Sequence, residues 1–285
     1  MGGNWDIMSK SDRRIGLLPL LEEAGRDHVL NLVLSPSTSL GINSAEGPVL
    51  SPVERVEGQS RRVEGLSKGS DSPRRNNVKV ELIALTKYLR GNGTPEELLE
   101  HAGRVCYRSE KRGETGSFLQ ARIQEGHGSI IEHASATFEI SGIARACSHQ
   151  LVRHRIASYS QESQRYVDLS DPEFVVPPSV AKSPEAMRIW DQLTGRMRDA
   201  YRDLRRLGIR KEDSRFLLPH ATATRIVVTM NFRELRHFFR IRCDRAAQWE
   251  IRALAREMLK LAYQVAPSVF QDLYTEFIGE GTADA

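Results

Sequence analysis

The pattern of apolar and polar positions along the chain becomes regular only after residue 77. Val78–Leu85 begins with alternating apolar and polar side chains and contains several β-branched ones, which predicts a strand. Thr94–Glu97 combines a side-chain cap, a proline at the first helical position and a glutamate at the third, so it predicts a helix that runs toward Tyr107. A second helix is predicted over about 116–125 and ends at Gly126.

The middle of the chain alternates between short elements and one long helix. Ser129–Glu132 has a capping-box pattern that predicts a short turn, and Ala134–Ile140 is predicted as a strand. Residues 143–152 return to a helical period, and the polar, arginine-rich segment after them predicts a loop. After a connection punctuated by prolines, a charged amphipathic helix is predicted over Pro184–Leu207 and ends at Gly208.

The last third of the chain contains one predicted strand, Thr224–Thr229, and two predicted helices. Asn231 caps the first of these helices, which runs to about 240, and Asp244 caps the second, which reaches Ala266 before Pro267. Helices and strands are intermixed without a regular βαβ alternation, so the predicted class is α+β. One stripe of the final helix is predicted to pack in the core or against another subunit: Ile251, Leu254, Met258, Leu261 and Val265.

Composition separates residues 1–77 from the rest of the chain. They hold 9 Gly, 5 Pro and 11 Ser, about a third of the segment, and Trp5 is their only aromatic residue. This composition is typical of a linker or a disordered tail. We therefore expect a low-complexity, disordered extension over 1–77 and a catalytic domain over 78–285.

Charge and cysteine content exclude several classes of protein. The net charge of +4 lies entirely after residue 77, and so small a surplus does not by itself indicate polynucleotide binding, although clustered arginines could receive a phosphate. The three cysteines are widely spaced without a CxxC motif, which favours neither a disulfide framework nor a zinc ribbon. Because no signal peptide or membrane-spanning run is visible, we expect a cytoplasmic protein without a membrane partner.

The most informative stretch is 150–166, which is rich in arginine, hydroxyl and amide side chains. Helical spacing puts Gln150, Arg153 and His154 on one face at a helix end. Such a surface offers donors to a phosphate or to a heteroaromatic ring with carbonyls. The alternative is a solvated basic helix end, which the helix dipole favours.

Four segments then carry a resemblance to a known family. They are Arg153-His154-Arg155 with Ser163-Gln164-Arg165-Tyr166 after it, Arg242–Ile251, Gly126–His133 and Ser214–Pro219. These segments follow one another along the chain in the family's order, and over roughly 78–275 the chain resembles the flavin-dependent thymidylate synthases. The resemblance implies a mixed sheet flanked by helices and a homotetramer whose active sites are built from several subunits.

The resemblance also implies a reaction. It is the reductive methylation of dUMP to dTMP, with 5,10-methylenetetrahydrofolate as the carbon donor and NADPH reducing a bound FAD, and without a cysteine nucleophile on the uracil. The alternatives are a flavoprotein that methylates uracil in RNA and a non-catalytic protein that binds RNA or nucleotides. Polynucleotide is not an expected partner, because the phosphate-binding arginines implied by the family suit a free nucleotide.

Carried over position by position, nine residues are expected to contact dUMP: Gln150, Arg153, Gln161, Glu162, Ser163, Gln164, Arg165, Arg215 and Arg242. Arg165 and Arg215 are the phosphate candidates, and Arg242 is the candidate for polarising the uracil. The alternative for Arg242 is an ion pair with Glu250 or Asp244. For Ser163, a second and weaker catalytic candidate, the alternative is a turn hydroxyl that binds backbone.

The flavin candidates are His127, Ser129, Glu132, Arg153, His154, Arg155, Ile156, Asn231, Arg233 and His237. His127 is also a candidate to stack on folate or to gate its access, and is the third catalytic candidate. Ser129 with Glu132, and Asn231 with Glu234, are equally consistent with helix caps. Without a Gly-x-Gly-x-x-Gly motif, FAD would not be held in Rossmann fashion.

Some side chains give weaker signals. Ala246 stands where many family members carry histidine and Cys106 where others carry serine, so the family's flavin contacts at these two positions are in question. Histidine pairs such as His127 with His133 lack the spacing and the further ligands of a zinc site, and no metal is predicted. All three cysteines are expected to be small buried hydrophobic residues.

Overall fold

The computed structural model describes residues 78–279, so the predicted extension over 1–77 lies outside the described residues. Four strands and nine helices occupy this range, together with single 3₁₀ turns at Ile130–His133 and Arg215–Leu217. In chain order they are β1 (Lys79–Leu85), α1 (Pro95–Tyr107), α2 (Thr115–Gln124), β2 (Ser135–Ala144), α3 (Arg145–Leu151), β3 (Ala157–Gln161), α4 (Pro178–Ala181), α5 (Pro184–Arg206), α6 (Lys211–Ser214), β4 (Ala223–Asn231), α7 (Phe232–Arg242), α8 (Trp249–Val265) and α9 (Pro267–Phe277).

The strands form one sheet in the order β1-β2-β4-β3, and every neighbouring pair is antiparallel. The α+β class is therefore confirmed, but the expectation of a mixed sheet is wrong for the described residues. The central ladder is formed by β2 and β4. It runs from the pair Ser135 and Asn231 at one end to the pair Ala144 and Ala223 at the other. Its register shifts next to Gly142, whose φ of 75° lies in the left-handed region that glycine tolerates.

The two faces of the sheet differ in polarity. Phe138 on β2 and Val228 on β4 are fully buried and belong to the same apolar core as Leu254 and Met258 of α8. On the opposite face Thr137 hydrogen-bonds Thr229, with 2.9 Å between the hydroxyl oxygens. Thr137 and Thr229 are half-buried, so this face is less enclosed than the core face. The packing prediction for α8 is confirmed at Ile251, Leu254 and Met258, while Leu261 and Val265 are half-buried.

Two elements near the site differ from the prediction. Residue 143 extends β2 past the register shift, so α3 begins only at Arg145 instead of at 143. The predicted loop after α3 contains β3, which pairs with β4 at the edge of the sheet. Its outward side chains, Ser158 and Ser160, are exposed. Because these side chains are polar, the sequence pattern does not indicate a strand here.

The C-terminal helices begin at other residues than predicted. Asp244 caps only a turn, accepting from the backbone N–H of Ala246 at 2.7 Å, and α8 starts at Trp249 after the cap Gln248. Pro267 does not end the helical region; it is the first residue of α9. The rings of Phe232, Phe239 and Phe270 join α9 to α7, with centroids 5.2 Å and 5.8 Å apart.

Two further expectations are wrong. The side chain of Ser129 makes no capping hydrogen bond, because its backbone is already helical and Glu132 pairs with Arg233 instead. Cys106 is exposed, because it lies on the solvent side of the last turn of α1, whereas Cys147 and Cys243 are buried as expected. Within 78–279 no helix combines the length and the apolarity needed to cross a membrane.

Candidate active site

Three residues predicted to bind ligands meet where α3 ends beside α7. The Nε of Arg242 donates a hydrogen bond to the Nε2 of His154 at 3.1 Å. A terminal guanidinium nitrogen of Arg242 also lies 3.4 Å from the carbonyl oxygen of Gln150. Within the described residues no ion pair joins Arg242 to Glu250 or Asp244, and Glu250 is buried and accepts from the backbone N–H at 144, 2.7 Å away. The described residues therefore do not show the alternative in which Arg242 pairs with one of these carboxylates.

The His154 imidazole is enclosed by α7. Its Nδ1 lies 3.4 Å from a carboxyl oxygen of Glu234, and only 5% of the His154 side chain and 7% of the Glu234 side chain are exposed. The ring meets Phe238 edge-on at 5.0 Å and His237 at 5.8 Å. Burial, followed by the neighbouring Arg242 and His237, lowers the pKa of His154 to about 4. The imidazole is therefore neutral at pH 7 and can accept a hydrogen bond.

β3 holds this helix end from the other side. The hydroxyl of Tyr159 lies 2.8 Å from the carbonyl oxygen of Leu151 and 2.7 Å from that of His154. The amide of Gln161 lies 2.8 Å from the hydroxyl of Ser148 and 3.2 Å from that of Thr224. Gln161, predicted to contact dUMP, thus uses its donors inside the protein. Tyr159 was not predicted, because its partners are main-chain atoms that no sequence pattern identifies.

The two phosphate candidates share one neighbour, Glu212. The Nε of Arg165 lies 3.2 Å from the carboxylate of Glu212, and the Nε of Arg215 donates to the main-chain carbonyl of the same residue at 3.1 Å. Arg210 pairs with the other carboxylate oxygen at 2.7 Å. Arg165 and Arg215 thus contact different atoms of one residue, Glu212, whose carboxylate sequence reasoning missed.

The segment between these two groups is less constrained. The hydroxyl of Ser163 accepts from the backbone N–H of Arg165 at 3.3 Å, which is the turn alternative. Within the described residues no histidine or carboxylate hydrogen-bonds this hydroxyl, and a catalytic role of Ser163 stays a prediction. Glu162 and Gln164 are half-buried. Burial, followed by the neighbouring Arg215, lowers the pKa of Arg145, and Glu162 opposes this shift only in part. The roles of Glu162 and Gln164 in dUMP binding stay predictions.

Two flavin candidates on α7, Arg233 and His237, line a cavity of about 250 Å³. Arg240, one turn further along the helix, also lines it and was not predicted. Gly128 forms part of the opposite wall, where an added Cβ would lie 3.1 Å from the Nε of Arg233. Arg233 also pairs with Glu132 at 2.5 Å, so a third flavin candidate adjoins the cavity.

The remaining flavin candidates lie around this region. Arg153 and Arg155 line a separate cleft of about 650 Å³, and Ile156 beside them is 67% exposed. Asn231 caps α7, accepting from the backbone N–H of Glu234 at 2.8 Å. His127 lies at the end of α2, edge-on to a tyrosine ring and 3.4 Å from a carboxylate oxygen of residue 125.

The donor set of these clefts suits a flavin dinucleotide. Arginine and histidine N–H groups match diphosphate oxygens, and the antiparallel sheet provides no Rossmann-type site within 78–279. The cavity of about 250 Å³ is smaller than the 300–1,000 Å³ typical of whole-ligand pockets, so it can take only part of such a molecule. No group of three or more His, Cys, Asp or Glu side chains in the described range could hold a metal ion.

Arginine and histidine side chains line two open clefts of this α+β fold. Such clefts are typical of proteins that bind anionic ligands such as nucleotides. The model of one family, described as thymidylate synthase complementing protein, matches residues 85–268. The chain belongs to this family, which confirms the resemblance found in its sequence.

Similar proteins agree with this assignment. A protein of Geobacter sulfurreducens named flavin-dependent thymidylate synthase is 50% identical over 189 residues, which cover 62% of this chain and 82% of the relative. One of the same name from Nitratidesulfovibrio vulgaris is 44% identical over 218 residues, covering 69% and 86%. The fold is shared with the UMP/dUMP methylase PolB of Streptomyces cacaoi bound with 5-Br dUMP, at a TM-score of 0.62, 24% identity and coverage of 71% and 96%.

Proposed function

We propose that this protein methylates dUMP to dTMP, with 5,10-methylenetetrahydrofolate as the carbon donor and NADPH as the reductant of a bound FAD. The observation that carries the proposal is the contact of Arg242 with His154 and Gln150 in a chain of this family. Relatives named flavin-dependent thymidylate synthase support the reaction.

Arg242 is the proposed catalytic residue. Its guanidinium keeps its charge through turnover and can donate to a uracil carbonyl while negative charge develops on the ring. Its Nε is engaged by His154 and one terminal nitrogen by the Gln150 carbonyl, so the other terminal nitrogen is left to face the substrate. Arg165 and Arg215 bind the phosphate in this proposal, and both contact Glu212.

Arg233 and His237 hold the flavin, together with Arg153 and Arg155 in the neighbouring cleft. When bound, FAD supplies hydride chemistry that no side chain can provide. Because one cavity takes only part of a dinucleotide, the proposal includes a homotetramer in which other subunits complete each site. The 78–285 segment is the proposed catalytic domain.

The two buried cysteines support a reaction in which their thiolates do not attack the pyrimidine. Burial raises the pKa of the Cys147 thiol, and it raises that of Cys243 to about 12. A thiol must ionise to attack a pyrimidine, and these two thiols are held in their neutral form. The pyrimidine is instead activated by Arg242 in this proposal.

The test begins with the absorption spectrum of the purified full chain. We expect a yellow protein whose flavin is bleached by NADPH, faster with dUMP present, and which forms dTMP from dUMP and 5,10-methylenetetrahydrofolate. A colourless protein that FAD cannot reconstitute would overturn the proposal. Salt-sensitive binding of polynucleotide without dTMP formation would favour the alternative of a non-catalytic RNA-binding protein.

A further inference from the structure

Glu234 occupies a position in α7 where a glutamate ordinarily completes a capping box. The equivalent residue of α1, Glu97, does so: its backbone N–H donates to the hydroxyl oxygen of Thr94 at 3.2 Å, and its carboxylate accepts from the Thr94 N–H at 3.3 Å. In α7 only the first half of this arrangement exists: the Glu234 N–H donates to the side-chain oxygen of Asn231. The carboxyl group of Glu234 turns inward to His154.

The inward position is costly for a carboxylate. Burial raises the pKa of Glu234, because leaving water disfavours the charged form. An exposed cap would avoid this cost, as it does at Glu97. A glutamate that leaves a helix cap for a buried position is typical of a functional site. The atom that the Glu234 carboxyl group contacts there is the Nδ1 of His154.

The contact with Arg242 fixes where the single proton of His154 resides. A guanidinium only donates hydrogen bonds, so the Nε2 that receives the Arg242 Nε–H must carry a lone pair. The proton of the neutral ring is then on Nδ1, the nitrogen that faces Glu234. A carboxyl group offers an acceptor oxygen in both its ionised and its neutral form, so Glu234 selects this tautomer in either state.

Helix geometry brings the three groups to one ring. Glu234, Phe238 and Arg242 are spaced four residues apart and form one stripe of α7, which we call the α7 stripe. The His154 imidazole lies along this stripe, with Nδ1 near Glu234, the Phe238 ring nearly perpendicular to it at 5.0 Å and Nε2 at Arg242. His237 is the other titratable group beside it, with ring centroids 5.8 Å apart.

We propose that Glu234 is a positioning residue that sets the Nδ1–H tautomer of His154 and thereby holds Arg242 toward the pyrimidine. This inference rests on the proposed function, since Arg242 is the group assigned to the uracil. Without the acceptor at Glu234, the Nε2–H tautomer becomes available to His154. That tautomer turns an N–H toward the Arg242 Nε–H, and the two donors repel each other.

The test compares Glu234→Leu with Glu234→Gln in the full-length, flavin-loaded protein. The amide oxygen of glutamine still accepts from Nδ1, whereas leucine has a similar size but no acceptor. We expect Glu234→Leu to lower kcat/KM for dUMP by at least about tenfold and to weaken dUMP binding in equilibrium dialysis. Glu234→Gln stays within about threefold of the wild type in both measurements. Flavin content, measured separately, stays equal.

The chain offers a matched control in Glu97→Leu, which removes a glutamate from the same position of α1. We expect this variant to melt at a lower temperature and to keep its kcat/KM for dUMP. A structural role of Glu234 would lower the melting temperature and flavin content of both Glu234 variants, without the rescue by glutamine. Glu234→Met, unbranched and also without a strong acceptor, replaces Glu234→Leu if the latter does not fold.

A crystal structure of Glu234→Leu tests the inference independently of turnover. We expect the Arg242 Nε to leave its 3.1 Å contact with His154. An unchanged contact, or equal impairment of the leucine and glutamine variants, overturns the inference. A wild-type protein that forms no dTMP overturns the proposed function instead. An active wild type with a fully active Glu234→Leu variant overturns this inference alone.

Discussion

A carboxylate oxygen of Glu212 lies 3.2 Å from the Nε of Arg165, one of the two proposed phosphate ligands. A nucleotide phosphate that binds Arg165 must approach this carboxylate, and two anions close together repel each other. We expect Glu212→Gln, which keeps a hydrogen-bond acceptor for Arg165, to tighten dUMP binding about two- to fivefold. This is about 0.4–1 kcal/mol, in the range of exposed ion pairs.

Titration of the flavin-loaded protein with dUMP at two salt concentrations measures this effect, which should shrink as salt rises. Asp213→Asn is the control, since it removes the same charge one residue away and its ion pair is with Arg210. Weaker dUMP binding in Glu212→Gln would show that the carboxylate orients Arg165 for the phosphate.

Replacement of Arg242 tests the proposed chemistry directly. We expect Arg242→Ala to keep its flavin and to lose dTMP formation by about 10²–10³-fold, about 3–4 kcal/mol, the usual effect of removing a donor to developing negative charge. Single-turnover formation of dTMP measures the loss. Arg206→Ala, an exposed arginine of α5, is the control. Near-normal turnover of Arg242→Ala would remove this residue from the chemistry.

Arg240 lines the cavity of Arg233 and His237 but has no counterpart among the sequence predictions. If this cavity holds flavin phosphates, Arg240→Ala should weaken FAD binding about tenfold, about 1.4 kcal/mol, because a charged hydrogen bond is lost. Titration of the apoprotein with FAD, followed by flavin fluorescence, measures the affinity. Unchanged affinity in Arg240→Ala, with a loss in Arg233→Ala, would confine flavin binding to the Gly128 side of the cavity.

The neutral state of His154 makes stability depend on pH. Its pKa of about 4 lies below the value of 6.5 for an unfolded chain, so between these values the unfolded state binds more protons. Stability therefore falls as the pH drops from 6.5 toward 4, by up to about 3 kcal/mol from this residue.

Urea unfolding at several pH values measures this slope, and the difference between the wild type and His154→Gln isolates the contribution of His154. His133→Gln, at an exposed histidine, is the control. Equal slopes in the wild type and His154→Gln would mean that His154 binds its proton as readily in the folded protein as in the unfolded one.

The N-terminal extension is expected to be dispensable. All four family segments lie after residue 77, so a protein that starts at Val78 should form dTMP at the rate of the full chain. Activity measurements and sedimentation of both forms test this prediction together with the proposed tetramer. Loss of folding or assembly in the shorter form would assign a structural task to residues 1–77.

Local signals predicted those elements whose ends are set by neighbouring residues. The Thr94 cap of α1 and the Asn231 cap of α7 each form hydrogen bonds within three residues. The errors occur where distant contacts decide. The edge strand β3 exists because β4 pairs with it, and residue 143 is extended because the bulge at Gly142 keeps it in the sheet.

The site shows the same division. The Arg153-His154-Arg155 segment and Arg242 were found from the sequence, because they lie in motifs that the family shares. The contact of Glu234 with His154 was not predicted. The spacing of Glu234 to Asn231 matches a helix cap, and His154 lies 80 residues earlier in the chain. A cap that is complete in α1 and incomplete in α7 becomes visible only in three dimensions.

The α7 stripe also limits how this chain can change in length. An α-helix turns by about 100° per residue, so one residue inserted between Glu234 and Arg242 would rotate the guanidinium away from His154 while leaving Glu234 in place. Deletion of one residue would turn it the opposite way. An exposed position of α7 such as Ile241 can carry another side chain without moving the stripe, but the number of residues between the two ends of the stripe is fixed.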